Sequence, residues 1–431
     1  MNTQHTQPNL GKLRSWAAKG LVALRGTYLL PHGHLIPFLE PYWKEKEIET
    51  GLNWMSGNEP KQLDQKWIEA RFLDATRQHG IAVATSSGRT ALSLALCALK
   101  RMRPDRNEVI IPSYSCLALL DAVVYSGLSP VYADVGYDLN VTEQTVSPLL
   151  TKKTLAVVIV HLGGEYANDT KVIRRKAEQY GAVAIEDLCQ ALGGKEGEKH
   201  WEAEAPMAIY SFGLGKNLMA TAGGMLVART ALDSILIEKS KLNSENPTRA
   251  PSRFSYILKA HYRKGASLLF PRPSMPVLPF KSSYEYNRMD LLDVQLLDRQ
   301  LDRMDEILQL RRRNANTMLA TLQNSPKLRI AGKDDQNVWT KFIVLADNTH
   351  NAQRMRSMLT KSGIETETMY TPLHLRKEGA RYSRWVLPVT EEIYPRVFNL
   401  PVRPSLSPKE ILYIANTTKR LLARIEKTDA R

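Results

Sequence analysis

Short apolar runs recur through the middle of the chain, each separated from the next by a stretch with helical spacing. The runs are Ile81–Ala84, Val109–Ile111, Val131–Asp134, Leu155–Val160, Val183–Glu186, Ala208–Ser211 and Met225–Ala228. Between them, Thr90–Leu99, Leu117–Ser126 and Thr170–Tyr180 carry the helix-like pattern. Runs this short and this apolar predict strands buried on both faces. Their alternation with helices predicts an α/β protein whose large domain is a mostly parallel seven-stranded sheet between helices. In such sheets, ligands sit at the carboxyl ends of the strands. A long helical pattern follows at Asp290–Leu322, then a strand at Trp339–Leu345, a helix at Asn351–Ser362 and a last helix at Pro408–Ile425. Those elements predict a smaller C-terminal α/β domain.

Two stretches break the rhythm. In Leu10–Arg25, the apolar positions Leu10, Leu13, Trp16, Ala17, Leu21 and Leu24 alternate with Lys12, Arg14, Lys19 and Arg25, a short basic amphipathic helix pattern. Such a helix packs on its own domain or lies on a membrane surface or a partner. Residues 240–284 mix Arg249, Arg253, Lys259, Arg263, Lys264, Arg272 and Lys281 with aromatic residues and predict a partly helical insertion. The chain therefore divides into a basic extension at 1–34, a large domain at 35–239, a basic insertion at 240–284, and an interface helix with the small domain at 285–431.

Composition narrows the class. A hydrophobic share of 43% and a charged share of 24% over 431 residues are those of an ordinary folded chain, not a disordered one. Cys97, Cys116 and Cys189 are too few and too scattered for a disulfide framework or a metal site, which predicts a reducing, cytoplasmic setting. No apolar run approaches the ~18 residues that span a bilayer. The net charge of +15 asks for an anionic partner. No nucleic-acid recognition motif accompanies it, so nucleic acid is not expected. Peripheral contact with the inner face of a membrane suits the basic segments better.

Three strand ends carry the candidate chemistry. At Val83–Leu92 a strand runs through Ser86-Ser87-Gly88 into a helix, whose unpaired N–H groups and dipole make an anion site that Gly88 lets a ligand approach. Alone, this is more often a plain N-cap. At Val183–Gln190 a strand ends on Glu186-Asp187, an acid at the crevice that could face a ring-nitrogen cation, though a capping acid reads the same way. At Ala208–Lys216 a strand is followed by two glycines and Lys216, which could form a covalent bond to a carbonyl, though most lysines are simply solvated. Together they are specific. A cofactor with a phosphate, a pyridine nitrogen and an aldehyde needs an anion site, an acid and a lysine.

The sequence resembles the DegT/StrS group of pyridoxal-phosphate (PLP) sugar aminotransferases, within the fold-type I class. The matching stretches are Ile36–Pro41, Ser87–Leu96, Val109–Pro112, His161–Gly163, Glu186–Gln190, Ser211–Asn217 with Gly223-Gly224, Asn287–Met289, Tyr370–His374 and Leu400-Pro401, spread over roughly 35–425. The resemblance implies that Lys216 holds PLP covalently and shuttles the proton, and that Asp187 pairs with the pyridine nitrogen. It places Gln190 near the cofactor ring, and Ser211 with the Gly88-Arg89 backbone at the phosphate. It implies a homodimer in which Asn287 and Arg288 reach the partner's site, and sets His161 and His374 near the substrate. Three positions depart from the pattern. Arg89 stands where the family has Thr, Cys116 where it has a stacking aromatic that Tyr114 would have to replace, and Tyr286 where it has Asn.

The function so implied is transfer of an amino group, from glutamate, to a keto sugar carried on a nucleotide diphosphate, in the synthesis of a surface polysaccharide. Relatives that dehydrate sugars lack the lysine, so Lys216 argues against that chemistry. The alternative of another class is a PLP-binding regulator or scaffold without turnover.

Overall fold

The computed structural model describes residues 14–15, 17–19, 28–30, 33–58, 63–196, 199–200, 203–243, 249–261, 286–322, 327–332, 337–384 and 386–429. All seven expected strands form and share one sheet. They are β1 (Ile81–Thr85), β2 (Glu108–Pro112), β3 (Ser129–Ala133), β4 (Thr154–Val160), β5 (Val183–Asp187), β6 (Met207–Ser211) and β7 (Gly224–Ala228). Their order across the sheet is β1-β7-β6-β5-β4-β2-β3. Strand β7 runs antiparallel to β6 and β1, while β2 to β6 pair in parallel. The interior strand β4 is buried at all seven positions, which is why its sequence reads as an unbroken apolar run.

Helices cover both faces. Helices α1 (Glu45–Met55) and α2 (Gln65–Thr76) lie on one face, and α3 (Gly88–Met102), α4 (Leu117–Tyr125), α5 (Thr170–Gln179) and α6 (Leu232–Ser240) on the other. Helix α7 (Arg249–His261) joins α1 on the first face, with α8 (Leu291–Leu301) and the start of α9 (Met304–Leu322). The long pattern at Asp290–Leu322 is thus two helices. Between them Arg303 turns aside, pairs with the buried Glu47 and lies 4.9 Å over the Tyr42 ring. The small domain is an antiparallel sheet of β8 (Leu328–Ile330), β9 (Phe342–Ala346) and β10 (Val397–Leu400). It is packed by α9, α10 (Thr349–Lys361) and α11 (Pro408–Asp429). Strand β9 begins later than the Trp339 expected from the pattern. Trp339 has φ of 53°, a left-handed backbone that cannot continue a strand.

The basic segments are only partly peripheral. In the described part of the N-terminal extension, Arg14 donates to Asn53 Oδ1 at 3.0 Å, Ser15 donates to Glu45 at 3.1 Å, and Ala18 is fully buried. This stretch therefore packs on its own domain. Within the expected 240–284 insertion, α7 is part of the core. Phe254 is fully buried and stacks on Trp43 with ring centroids 5.0 Å apart, in the space left by Gly51. Arg253 joins it to α8, with Nη2 2.6 Å from both Asp290 and Asp293. The basic residues at 262–285, and Lys12 and Arg25 in the N-terminal stretch, lie outside the described residues.

Trp43 in turn donates through Nε1 to the carbonyl of Met219 at 2.7 Å, so α7 braces the segment that follows Lys216. Truncating Phe254 to Ala opens a cavity beneath that brace. It should lower unfolding free energy by about 3–5 kcal/mol, read from the shift in a urea unfolding midpoint.

Candidate active site

The carboxyl ends of β1, β5 and β6 converge as their order in the sheet requires. Ser87 caps α3, its Oγ accepting from Thr90 N at 3.2 Å, and leaves the first N–H groups of the helix facing the crevice. Gly88 sits against β6: a Cβ there would lie 3.0 Å from Cys189 Sγ and 3.1 Å from Ser211 Cβ. From the other side Gly224 presses on the same turn, and a Cβ on it would come within 2.4 Å of Gly88 N. Gly223 donates to Ser86 O at 3.1 Å, which locks β7 to the turn. Gly224 is therefore demanded by close packing of backbone on backbone, and Gly223 by its φ of 118°.

Asp187 ends β5, is 5% exposed, and accepts from Cys189 N at 2.9 Å through Oδ1. Among the described residues no cation pairs with it. A buried carboxylate in that state calls for a positive partner, and the protonated pyridine nitrogen of PLP fits the need. Burial and the nearby Asp187 carboxylate hold the Cys189 thiol well above its ordinary range, and the positive charge of Lys216 acts on it in the opposite sense. That places Lys216, Asp187 and Cys189 in one electrostatic neighbourhood. The glycine turn and Ser211 would hold the phosphate, Asp187 the ring nitrogen and Lys216 the aldehyde carbon. When bound, PLP supplies an electron sink for the carbon that loses its proton.

The Lys216 turn is held from several sides. Its carbonyl accepts from Arg311 Nη2 at 3.2 Å, and Gly215 before it has φ of 82°. Asn217 donates to Leu192 O at 2.9 Å and accepts from Thr340 Oγ1. Met219 N donates to Gln300 at 3.3 Å, and Thr221 N to Asp293 at 2.8 Å. Arg311 is 2% exposed, its Nη groups donate to carbonyls while Nε has no partner among the described residues, and burial lowers its pKa to about 10.

Gln190 is fixed at both ends of its amide. Its Oε1 accepts from Gly163 N at 2.9 Å and its Nε2 donates to Tyr370 Oη at 2.8 Å. Burial raises the Tyr370 phenol pKa. Tyr114 is 1% exposed and lies edge-on to Tyr370, 6.2 Å between centroids. It turns inward and does not take the exposed place of Cys116, which precedes α4.

The remaining predicted residues divide. The Arg89 guanidinium swings to α4 and pairs with Asp121 at 2.8 Å, leaving the backbone of the turn to face an anion. His161 is fully buried with both nitrogens engaged: Nδ1 accepts from Ala167 N at 3.0 Å and Nε2 faces Glu186 at 3.1 Å. His374 is likewise spent, on Ser113 Oγ at 2.5 Å and Glu391 at 3.1 Å. Both histidines brace strand ends, so the substrate contact expected of them has no free ring nitrogen to make it. Asn287 accepts from Ser86 N at 3.0 Å through its own carbonyl, and Arg288 beside it is exposed at the rim. Tyr286, in the place of the expected Asn, stacks on Tyr125 at 5.8 Å. Sequence reading passed over Arg311, Thr340, Lys341 and Tyr370. Only Tyr370 carried a signal, as part of the Tyr370–His374 stretch.

Residues 46–419 match the DegT/DnrJ/EryC1/StrS aminotransferase family. The chain is 25% identical over 393 residues to GDP-perosamine synthase of Escherichia coli O157:H7, covering 89% of this chain and 97% of that enzyme. Among solved structures it resembles Helicobacter pylori PseC, an aminotransferase involved in pseudoaminic acid biosynthesis, with a TM-score of 0.72 at 18% identity over 90% of this chain and 100% of that one. It also resembles the PLP form of the putative sugar aminotransferase Spr1654 from Streptococcus pneumoniae, with a TM-score of 0.72 at 20% identity over 91% and 99%.

Asp121 gives the site a pH signature. Burial raises its carboxyl pKa from 3.8 to about 6, outweighing the opposing pull of Arg89. Between those values the folded chain holds a proton that the unfolded chain releases, so this group makes stability fall as pH rises from about 4 to about 6. Asp121→Asn should flatten that decline in denaturant titrations run across the window. An unchanged slope would show that Asp121 does not titrate there.

Proposed function

The chain belongs to the DegT/DnrJ/EryC1/StrS aminotransferase family, with PLP as cofactor, and on that premise we propose that it aminates a keto sugar carried on a nucleotide diphosphate, with glutamate as donor. The convergence of Gly88, Asp187 and Lys216 on neighbouring strand ends carries the reading. The match to GDP-perosamine synthase along almost its whole length supports a nucleotide-linked sugar and a place in surface-glycan synthesis. The working unit in this proposal is a homodimer, with the exposed Arg288, and Asn287 next to it, lying toward the partner's site.

The chain's own groups divide the work. The Gly88 turn and Ser211 anchor the phosphate. Asp187 keeps a positive charge at the ring nitrogen. Gln190 holds Tyr370 and Gly163 in place beside the ring. Lys216, on a turn bound at its carbonyl and on both flanks, moves one proton between the carbon that carries the amine and the cofactor carbon.

Mixing holoenzyme with glutamate should change the cofactor absorbance and release 2-oxoglutarate. A panel of nucleotide-linked keto sugars should then restore the spectrum with one member. Lys216→Ala should abolish both half-reactions. Unchanged absorbance with every amino donor would instead favour a regulator that binds PLP without turnover.

Membrane contact, where proposed, belongs to the basic residues outside the described structure, such as Lys12, Arg263, Lys264, Arg272 and Lys281. Among the described residues no helix is long and apolar enough to cross a bilayer. Liposomes containing anionic lipid should sediment the protein at low salt and release it at high salt. Failure to sediment would remove the membrane from the reading.

A further inference from the structure

A transaminase of this kind asks one pocket to do two opposed things. In one half-reaction it receives an amino acid with a carboxylate beside the reacting carbon. In the other it receives a sugar ring with no charge at that place. A fixed, unpaired cation suits the first and is left buried without a partner in the second, which is costly. A cation that can exchange counterions suits both.

Lys341 has that arrangement. It follows Thr340, whose single hydroxyl proton is shared between Gln190 O and Asn217 Oδ1, which ties the segment to Gln190 and to the neighbour of Lys216. Lys341 N donates to Gly163 O at 3.1 Å, and Gly163 N binds the Gln190 side chain. The segment is therefore seated on the two loops that carry Gln190 and Lys216. The Lys341 ammonium pairs with Glu367 and lies 4.8 Å over the Phe38 ring, a second stabiliser of its charge. Burial lowers its pKa, and the charges of Lys216 and Arg311 act in the same direction. Glu367 is the half of the pair that can do without the other. Its side chain is 40% exposed against 15% for Lys341, and Asn399 Nδ2 donates to it at 3.1 Å, so it has other partners when Lys341 leaves. Arg311 has no such counterion to exchange: among the described residues no carboxylate pairs with it, and its Nη groups are held by the carbonyls of Lys216, Trp339 and Thr340.

We propose that Lys341 binds the carboxylate next to the reacting carbon of the amino donor, leaving Glu367 to do so, and returns to Glu367 when the sugar occupies the pocket. This rests on the donor being an α-amino acid. No proton or bond changes hands: one carboxylate replaces another on the same ammonium.

The test compares two carbonyl compounds, 2-oxoglutarate and succinate semialdehyde, which differ by that one carboxylate. Calorimetry with the PLP-loaded dimer or monomer, whichever the protein forms, gives the dissociation constant of each without turnover. In Lys341→Met, 2-oxoglutarate should bind about 10- to 100-fold more weakly, the range for one charge-assisted hydrogen bond, while succinate semialdehyde stays within about twofold. In Glu367→Gln, which removes the competing carboxylate, 2-oxoglutarate should bind more tightly than in the wild type. Equal losses for both compounds in Lys341→Met, or no tightening in Glu367→Gln, would overturn the role of Lys341 alone. If the Lys341 variant fails to hold cofactor, the Glu367→Gln result decides. If the wild-type holoenzyme responds to no α-amino acid, the donor reading falls and this role falls with it.

Discussion

Everything at this site depends on keeping a buried acid at the end of β5 and a lysine beyond the end of β6 at fixed separation. Asp187 is set by parallel pairing of β5 with β4 and β6, in register from Ala156 opposite Val183 and from Met207 opposite Ile185. Lys216 lies five residues past the end of β6, on a turn with no regular hydrogen-bond ladder of its own. Its position must therefore come from outside, and it does. Arg311 grips its carbonyl, Thr340 and Leu192 hold Asn217, and Trp43, Gln300 and Asp293 hold the residues after it. Those partners come from the N-terminal stretch, the long helices and the small domain. In the role proposed for it Lys216 needs this kind of support, because small displacements of a reacting group cost large factors in rate.

The same economy explains why α7 belongs to the core. Arg253 bridges Asp290 and Asp293, and Asp293 caps Thr221 and Ala222 with its other oxygen. Asp293 is buried, and burial raises its carboxyl pKa against the pull of Arg253. Without the guanidinium it would be an uncompensated buried acid next to the Lys216 segment. The basic character of that stretch thus has two sources. Part of it neutralises acids inside the fold, and part lies in residues outside the described structure.

The strands were legible because burial on both faces leaves a strong mark: all seven apolar runs became strands of one sheet, within two residues of their predicted ends. The helices at Glu45–Met55 and Gln65–Thr76 left little mark on the pattern, since their buried faces include the polar residues Glu47, Thr50, Glu69 and Thr76, which blur the apolar stripe. The split at Arg303 and the late start of β9 were also hidden. Each is enforced by partners far along the chain, Glu47 in one case and, in the other, the carbonyls of Gly163 and Gly164, which accept from Lys341 N and Val338 N. At the site, Lys216, Asp187 and the Gly88 turn could be read because each sits at a strand end with a local signature of glycine or acid. His161 and His374 looked equally suggestive, yet both spend their nitrogens on strand-end neighbours. A histidine's sequence position does not reveal what its ring faces.

The sequence by itself determined the sheet, its alternation with helices, and the three groups that fit a phosphate, a ring nitrogen and an aldehyde, because those follow from burial periodicity and backbone freedom near each residue. Only the tertiary structure decided that Arg89 turns to Asp121, that Tyr114 turns inward beside Tyr370, and that Lys341 and Glu367 meet beside the Lys216 loop. These pairings join residues 26 to 256 positions apart. The direction of a side chain at such a site is set by the charge or ring it meets across the fold, and no local pattern records that choice.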